Sequence, residues 1–335
     1  MTETFTDLFS EVASFSGLHQ GFREARKGKR YHDEVLQFSE DLESNLLSLS
    51  RELKSGCYKP KGFKEFEIFD PKHRLIEAPY FRDRVVHRSL HQTLEPIFDR
   101  SFIYDSFACR KGKGTHEGVD RAHYFLRKPE NVYFLKCDIK NYFGSVDHGI
   151  LKERIRRNIG DSEIIELIGS LLASYSSDVG KRKGLPIGTL YSQLFANVYL
   201  NSFDHFVKQG LQADYYVRYM DDFVLFSDSK ERLHNLEKAM KGYLRDKLGL
   251  RLPESKTCIE PVDKGLTFLG YRLFPTHREL RKRNKKKFLR KIRNFKIHSN
   301  EFEQVLDSIE SWKGHSSHAD TENLRKQILG EITGS

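Results

Sequence analysis

Residues 215–226 read YYVRYMDDFVLF, and this stretch decides the fold. Aromatic and β-branched side chains, which favour strands, lie on both sides of the Met-Asp-Asp centre. Aspartate is depleted within strands, so Asp221 and Asp222 are expected at or beside the turn of a β-hairpin. Two adjacent carboxylates repel each other, and a divalent cation such as Mg²⁺, which prefers hard oxygen ligands, would remove that repulsion. Taken alone, Asp-Asp in a hairpin is also compatible with ordinary turn chemistry.

A second predicted strand, residues 131–139, also ends in an aspartate. Asp138 follows the apolar run from Val132 to Leu135, where an isolated charge would be buried at a cost. If this strand lies beside the hairpin, Asp138 meets Asp221 and Asp222. Three converging carboxylates could hold two metal ions about 3.5–4 Å apart, which is the arrangement for in-line phosphoryl transfer.

The rest of the chain predicts an α+β architecture. The apolar spacing predicts helices in 1–60, 80–100, 190–208 and 231–248, a pair of short strands in 61–79, one short strand in 266–273, and a basic helical region from Thr276 onward. We find no internal repeat and no low-complexity linker in the sequence.

Composition favours a polyanionic partner. The chain has 57 Lys and Arg against 47 Asp and Glu, a formal net charge of +10, and eleven of the basic residues lie between Thr276 and Asn300. A one-signed run of this kind predicts contact with phosphates. No long apolar run or secretory signal is present, so we expect no membrane association and a cytoplasmic protein. The four cysteines, Cys57, Cys109, Cys137 and Cys258, form no CxxC pair, which predicts neither a zinc site nor a disulfide framework.

Tyr219-Met220-Asp221-Asp222 resembles the YxDD box of reverse transcriptases, and Asp138 resembles the first aspartate of their palm. Further blocks of the family follow in the right order over residues 60–290, which makes the resemblance specific. It implies a right-hand polymerase: an N-terminal segment and fingers with part of the palm over 1–130, the palm over 131–275, and a basic helical thumb over 276–335.

Within that family, the chain most resembles the reverse transcriptases of diversity-generating retroelements. Segment 185–193 reads LPIGTLYSQ, with Ile187 where retroviral enzymes place a glutamine, and segments 268–277 and 311–321 also look like theirs. This resemblance implies a template-repeat RNA, copying that is error-prone at template adenines, and a small basic oligomeric accessory protein. It also implies a bacterial or phage-infected host cell.

The family resemblance implies roles for individual residues. Asp138, Ile139, Asp221 and Asp222 would hold two Mg²⁺ ions, for which Mn²⁺ could substitute, and Lys256 would assist at the pyrophosphate. The dNTP site would comprise Lys72, Arg74, Phe143, Ile187, Gly188, Gln193 and Lys256. Phe143 would exclude the 2′-hydroxyl, and Arg74 would clamp the triphosphate because its planar fork suits phosphate oxygens.

Template and primer contacts are expected along several segments. They comprise Arg110, Lys111, Lys113, Tyr219, Met220, Gly270, Tyr271, Lys282, Arg283, Lys286 and Arg290. Trp312 is expected in the core of the thumb, with base stacking as the less favoured alternative.

Three other functions compete with this one. Another bacterial reverse transcriptase, of the phage-defence or group II intron type, would share the palm chemistry. An inactive RNA-binding module is disfavoured by the intact aspartates. An RNA-dependent RNA polymerase is disfavoured by Phe143.

Overall fold

The computed structural model describes residues 4–68, 74–175, 182–286, 289–290, 310, 312–314 and 316–322. The expected lone strand, residues 266–273, is instead a hairpin of two strands, and a third strand, at 278–280, lies where a helix was expected. The predicted helices in 1–60, 80–100, 190–208 and 231–248 and the predicted strands in 61–79 and 131–139 are confirmed. Residues 282–286 of the expected basic helical region are helical, and most of the rest of that region lies outside the described residues. Leu269 and Gly270 have φ of +47° and +94°, a tight turn that periodicity could not reveal.

Eleven α-helices lie wholly within the described residues. They are α1 (Leu8–Val12), α2 (Phe15–Ala25), α3 (Asp33–Glu40), α4 (Leu42–Lys54), α5 (Phe81–Asp99), α6 (Thr115–Leu126), α7 (Tyr142–Ser145), α8 (His148–Arg156), α9 (Ser162–Tyr175), α10 (Leu190–His205) and α11 (Lys230–Leu248).

Nine strands form three antiparallel sheets among the described residues. The strands are β1 (Phe63–Ile68), β2 (Arg74–Pro79), β3 (Tyr133–Asp138), β4 (Tyr216–Tyr219), β5 (Asp222–Ser227), β6 (Thr257–Pro261), β7 (Leu266–Phe268), β8 (Tyr271–Leu273) and β9 (Arg278–Leu280). The first sheet is the β1–β2 hairpin, the second has the order β4-β5-β3-β6, and the third has the order β7-β8-β9. This antiparallel α+β architecture confirms the predicted fold class.

The chain divides into two compact units, each built from three segments. Unit 1 comprises Met1–Tyr104, Ile139–Gln212 and Ala239–Pro253, and unit 2 comprises Asp105–Asp138, Ala213–Lys238 and Glu254–Ser335. The division into fingers, palm and thumb stays a prediction.

In unit 1, helix α5 is the central element of the packing. Phe22 and Phe38 both contact Phe81 edge-on, with ring centroids 6.0 and 5.4 Å apart. Gly21 lets α2 approach α5 closely, because a Cβ at that position would lie 2.5 Å from the carbonyl oxygen of Val85. Burial of these aromatic side chains stabilises the packing of α2 and α3 against α5.

A buried carboxylate fixes the segment that leads into β1. Asp83, on α5, accepts hydrogen bonds from the Tyr58 hydroxyl at 2.8 Å and from the Lys61 amide at 2.7 Å. Burial raises the pKa of Asp83, while the hydrogen bond from Tyr58 opposes that rise. Helix α5 therefore positions the entry to the β1–β2 hairpin.

In unit 2, one face of the four-stranded sheet packs against α6 and the three-stranded sheet. Buried members of this core include Phe134 on β3, Val224 on β5 and Phe268 on β7. Trp312 is partly buried against the same cluster. None of the described helices is both long and apolar enough to cross a membrane.

Candidate active site

As predicted, Asp138 lies beside Asp222 in the four-stranded sheet of unit 2. Strands β3 and β5 pair antiparallel, and their register places Asp138 directly opposite Asp222. Met220 and Asp221 form the turn between β4 and β5, because Tyr219 pairs with Asp222 across that turn. The sheet therefore brings all three predicted carboxylates to one end of β3.

The turn itself is held by a buried arginine, Arg218, which is not among the predicted site residues. Met220 has a φ of +57°, an unfavourable conformation for a residue with a side chain. Arg218 is fully buried, and its guanidinium donates hydrogen bonds of 3.0 Å to the Met220 carbonyl and to the Ser106 hydroxyl. The backbone of Arg218 is also paired, accepting from the Phe107 amide and donating to the Asp105 carbonyl. These contacts fix the strained turn.

Two lysines contact the carboxylates. Lys256 donates a hydrogen bond to Asp138 Oδ1. Lys136 Nζ lies 3.4 Å from Asp222 Oδ2 and donates a hydrogen bond of 2.6 Å to the carbonyl oxygen of Thr267. Lysine cations thus compensate part of the negative charge at this end of the sheet.

The electrostatics of the site favour a further positive charge. Burial raises the pKa of Asp222 to about 6, with Lys136 opposing the rise and both Asp138 and Asp221 adding to it. Burial also raises the pKa of Asp221, and repulsion from Asp138 acts in the same direction, whereas Lys256 opposes it. Raised carboxyl pKa values in a cluster are typical of functional sites.

A divalent cation suits this donor set, although the described residues do not form a ready cluster of three or more His, Cys, Asp or Glu ligands. Lys256 and Lys136 occupy one oxygen each of Asp138 and Asp222. Asp222 Oδ1 is buried and has no hydrogen-bond partner among the described residues. A buried, unpaired carboxylate oxygen beside a second carboxylate is the kind of hard donor that Mg²⁺ binds.

Most of the residues predicted to bind the incoming nucleotide lie in unit 1, whereas Lys256 lies in unit 2. The Glu77 amide on β2 lies 3.4 Å from the Ile187 carbonyl oxygen, and Gly188 has a φ of +111°. A Cβ at Gly188 would lie 3.3 Å from Ile76 Cγ2, so the absence of a side chain allows the close approach to β2. Ile187 is 37% exposed, which leaves its side chain available to a ligand.

The structure describes some of the other predicted nucleotide-binding residues fully, one only in its backbone and one not at all. Phe143, on α7, is half-buried, and its carbonyl accepts a hydrogen bond of 2.8 Å from the Leu185 amide. Gln193 is half-buried on α10. Arg74 is the first residue of β2, but its side chain lies outside the described part of the chain, as does the whole of Lys72. Ile139 follows β3 directly, with a fully buried side chain.

All eleven residues expected to contact nucleic acid are described, and all of them lie in unit 2. Gly270 lies in the β7–β8 turn, and the buried Tyr271 begins β8, with its hydroxyl 3.4 Å from His116 Nδ1. The Tyr219 hydroxyl accepts a hydrogen bond of 3.2 Å from Thr115. Exposed basic side chains further along the chain are Lys282, Arg283, Lys286 and Arg290.

The basic loop before α6 is partly fixed by its own contacts. Arg110 donates to the Ser106 carbonyl at 2.9 Å, and the Lys113 ammonium lies 5.0 Å from the centre of the Phe107 ring. Lys111 is exposed. Lys111 is therefore the one of these three cations whose described side chain is most accessible to a phosphate.

Arg218 and Lys136 are the site residues that sequence reasoning missed. Each is a cation in the middle of an otherwise apolar strand, in Tyr216-Val217-Arg218-Tyr219 and in Phe134-Leu135-Lys136-Cys137. Such a charge is costly to bury without a partner, which is the signal that could have identified both residues.

Comparisons with known proteins converge on one family. The family model described as "Reverse transcriptase (RNA-dependent DNA polymerase)" matches residues 59–273, which is more than half of the chain. Protein YkfC of Escherichia coli is 29% identical over 266 residues, covering 67% of this chain and 70% of that protein. The group II intron-encoded protein LtrA of Lactococcus lactis is 24% identical over 298 residues, covering 68% of this chain and 49% of that protein. The chain thus spans about half the length of LtrA.

Solved structures support the fold. Telomerase from Candida albicans in complex with a fragment of telomeric RNA aligns with a TM-score of 0.52 and 16% identity, covering 67% of this chain and 46% of that one. Apo telomerase from Candida tropicalis, truncated from its C-terminal domain, aligns with a TM-score of 0.51 and 17% identity, covering 65% of this chain and 55% of that one. The mixed architecture with antiparallel sheets is that of a right-hand polymerase.

Proposed function

The chain belongs to the reverse transcriptase family, whose activity is RNA-directed DNA synthesis, and we propose which residues carry out that reaction and which RNA it copies. The observation that carries the proposal is the register of β3 and β5, which sets Asp138 opposite Asp222 beside the Asp221 turn. Three carboxylates gathered in this way suit nucleotidyl transfer, in which the protein mainly positions reactants and compensates charge.

Asp138, Asp221 and Asp222 would hold two Mg²⁺ ions, which would activate the primer 3′-hydroxyl and stabilise the leaving pyrophosphate. The positions of the three carboxylates would also determine where the Mg²⁺ ions compensate the negative charge of the substrate phosphates. Lys256, which contacts Asp138 and is 41% exposed, is able to reach a ligand and to donate a proton from Nζ to the departing pyrophosphate.

Phe143 would select the sugar of the incoming nucleotide. Its half-buried ring lies beside the fully buried Tyr142, with centroids 5.7 Å apart, so a neighbour supports one side of it. A ring supported in this way resists displacement, and a 2′-hydroxyl placed against it would clash. We therefore propose dNTPs rather than NTPs as substrates.

The RNA copied would be the template repeat of a diversity-generating retroelement, with misincorporation opposite adenine. The exposed, apolar Ile187 supports this proposal, because it shapes the pocket without hydrogen bonding to a base or sugar. A small basic accessory protein and a primer would complete the assembly in the cytoplasm of a bacterial or phage-infected cell.

A group II intron-type role is the second candidate. LtrA matches over 68% of this chain, so the comparisons themselves favour a relative of intron-encoded proteins. Under this role the chain would copy an intron RNA, with no excess of errors at adenine.

Primer extension on a primed RNA tests the reaction. The full chain with Mg²⁺ and dNTPs is expected to extend the primer, and Asp222→Asn is expected to lower the rate by about 1,000-fold or more. Binding of the primed RNA should persist in the variant. Failure of the wild type to extend a primer on several RNAs, with Mn²⁺ as well as Mg²⁺, would contradict the proposal.

Sequencing the cDNA separates the two candidate roles. An excess of substitutions opposite template adenines over those opposite the other three bases supports the retroelement role. Equal error frequencies opposite all four bases support the intron-type role.

A further inference from the structure

We propose that Lys136 is a positioning residue, which anchors one oxygen of Asp222 and links it to the β7–β8 hairpin. The inference rests on the proposed function, since it concerns how Asp222 is presented for catalysis. Lys136 lies two residues before Asp138 on β3, and side chains two apart on a strand share a face of the sheet. Its Nζ therefore emerges on the face that carries Asp138 and, across the pair, Asp222.

The two oxygens of Asp222 have different environments. Oδ2 lies 3.4 Å from Lys136 Nζ, whereas Oδ1 is buried and has no hydrogen-bond partner among the described residues. An ammonium on one oxygen orients the carboxylate and leaves the other oxygen to bind a cation. Ligating carboxylates are commonly oriented by an outer partner of this kind.

Lys136 is itself fixed from a different element. Its Nζ donates a hydrogen bond of 2.6 Å to the Thr267 carbonyl on β7, a shorter contact than the one to Asp222. Strand β7 continues through the Leu269-Gly270 turn into β8. Because the lysine is tied to the β7 backbone, it stays in place when a cation reaches Oδ1, and displacement of the hairpin would move Asp222.

A competing role for Lys136 predicts the opposite change in metal affinity when the lysine is removed. If the lysine only neutralised Asp222 in the absence of metal, it would repel the incoming cation, and its removal would strengthen metal binding. If it orients Asp222, its removal weakens metal binding. The direction of the change in metal affinity therefore distinguishes the two roles.

The experiment measures Mn²⁺ binding to the full chain by electron paramagnetic resonance, without nucleic acid, for the wild type, Lys136→Met and Lys136→Arg. We expect Lys136→Met to raise the dissociation constant by about tenfold or more, and Lys136→Arg to restore most of the loss. Lys264→Met is the matched control, since Lys264 is 65% exposed and contacts only Glu260 among the described ion pairs. Circular dichroism verifies that each variant is folded.

Steady-state primer extension supplies the second measurement. Lys136→Met should lower kcat by about tenfold or more, with the KM for dNTP changed by less than about twofold. Unchanged or tighter Mn²⁺ binding by a folded Lys136→Met variant would overturn the inference. Absence of extension by the wild type would instead count against the proposed function, while the binding measurement still decides the role of Lys136.

Discussion

The guanidinium of Arg218 donates a 3.0 Å hydrogen bond to the carbonyl oxygen of Met220, at the turn that carries Asp221. A fully buried cation thus holds the backbone beside the predicted catalytic carboxylate. This contact compensates the unfavourable φ of Met220, because strained residues persist only where their surroundings fix them.

Replacing Arg218 should impair both stability and activity. We expect Arg218→Met to lower the free energy of unfolding by about 3 kcal/mol, because it leaves the Met220 carbonyl and the Ser106 hydroxyl without this donor. Extension should fall by about tenfold or more, since Asp221 is no longer held. Urea unfolding and primer extension measure the two effects. Arg245→Met, at a 74% exposed position, serves as the control, and equal stability of both variants would refute the assignment.

Removing the ring of Phe143 should admit ribonucleotides. We expect Phe143→Ala to raise the incorporation of NTPs relative to dNTPs by roughly 100-fold, because a 2′-hydroxyl no longer clashes. Single-nucleotide extension with each NTP and its matching dNTP measures the ratio. Phe143→Tyr retains the ring and should keep the wild-type preference. An unchanged ratio in the alanine variant would remove Phe143 from the sugar site.

Introducing an amide at Ile187 should change the error spectrum. We expect Ile187→Gln to lower misincorporation opposite adenine by about fivefold, the worth of one hydrogen bond to the substrate. Sequencing cDNA copied from one RNA template measures the errors at each base. Val132→Gln, also an exposed aliphatic position, is the control and should leave the spectrum unaltered. Equal spectra for all three proteins would exclude Ile187 from base selection.

Stability should fall as the solution becomes acidic, partly because of a histidine in α5. Burial lowers the pKa of His87 to about 3, so between pH 6.5 and pH 3 the unfolded chain binds a proton that the folded chain excludes. The stability that the folded protein gains by keeping the His87 ring neutral is fully present above the pKa that His87 has in the unfolded chain. It declines as the pH falls below that pKa. Between pH 7 and pH 5, His87 should account for about 2 kcal/mol of lost stability.

Comparison of wild type with His87→Phe by urea unfolding isolates this contribution. On going from pH 7 to pH 5, the wild type should lose about 2 kcal/mol more unfolding free energy than the variant. From pH 7.5 to pH 9, the difference between the two proteins should stay constant. If the difference in unfolding free energy did not change with pH over the whole range, His87 would take up its proton in the folded protein at the same pH as in the unfolded chain.

The carboxylate end of the sheet could be predicted because its residues conflict with their neighbours. Asp138, Asp221 and Asp222 each interrupt or end an apolar strand, which signals a turn and an unusual charge environment. Their pairing register follows from the placement of β3 next to β5. The turn and the strand end that the local sequence predicts therefore agree with the pairing of β3 and β5.

Other features could not be predicted from local pattern. The β7–β8 hairpin depends on a positive φ at Leu269, which a leucine does not signal, and a single strand was expected instead. The apolar spacing predicts no helix or strand in 101–130 or 140–189, where α6 to α9 lie. The roles of Arg218 and Lys136 depend on partners distant in sequence, Ser106 and Thr267, which only the tertiary structure brings near.

The strand order also constrains how the protein is made. Strand β3 lies between β5 and β6, and both of these neighbours follow it in the chain. During synthesis, the apolar residues Phe134 and Leu135 therefore leave the ribosome before any strand that flanks them exists. Pairings of long sequence separation form late, and an unpaired apolar strand is prone to aggregation. The proposed catalytic carboxylates can therefore come together only after β5 has been synthesised, and β3 lacks both of its neighbours until β5 and β6 have followed it.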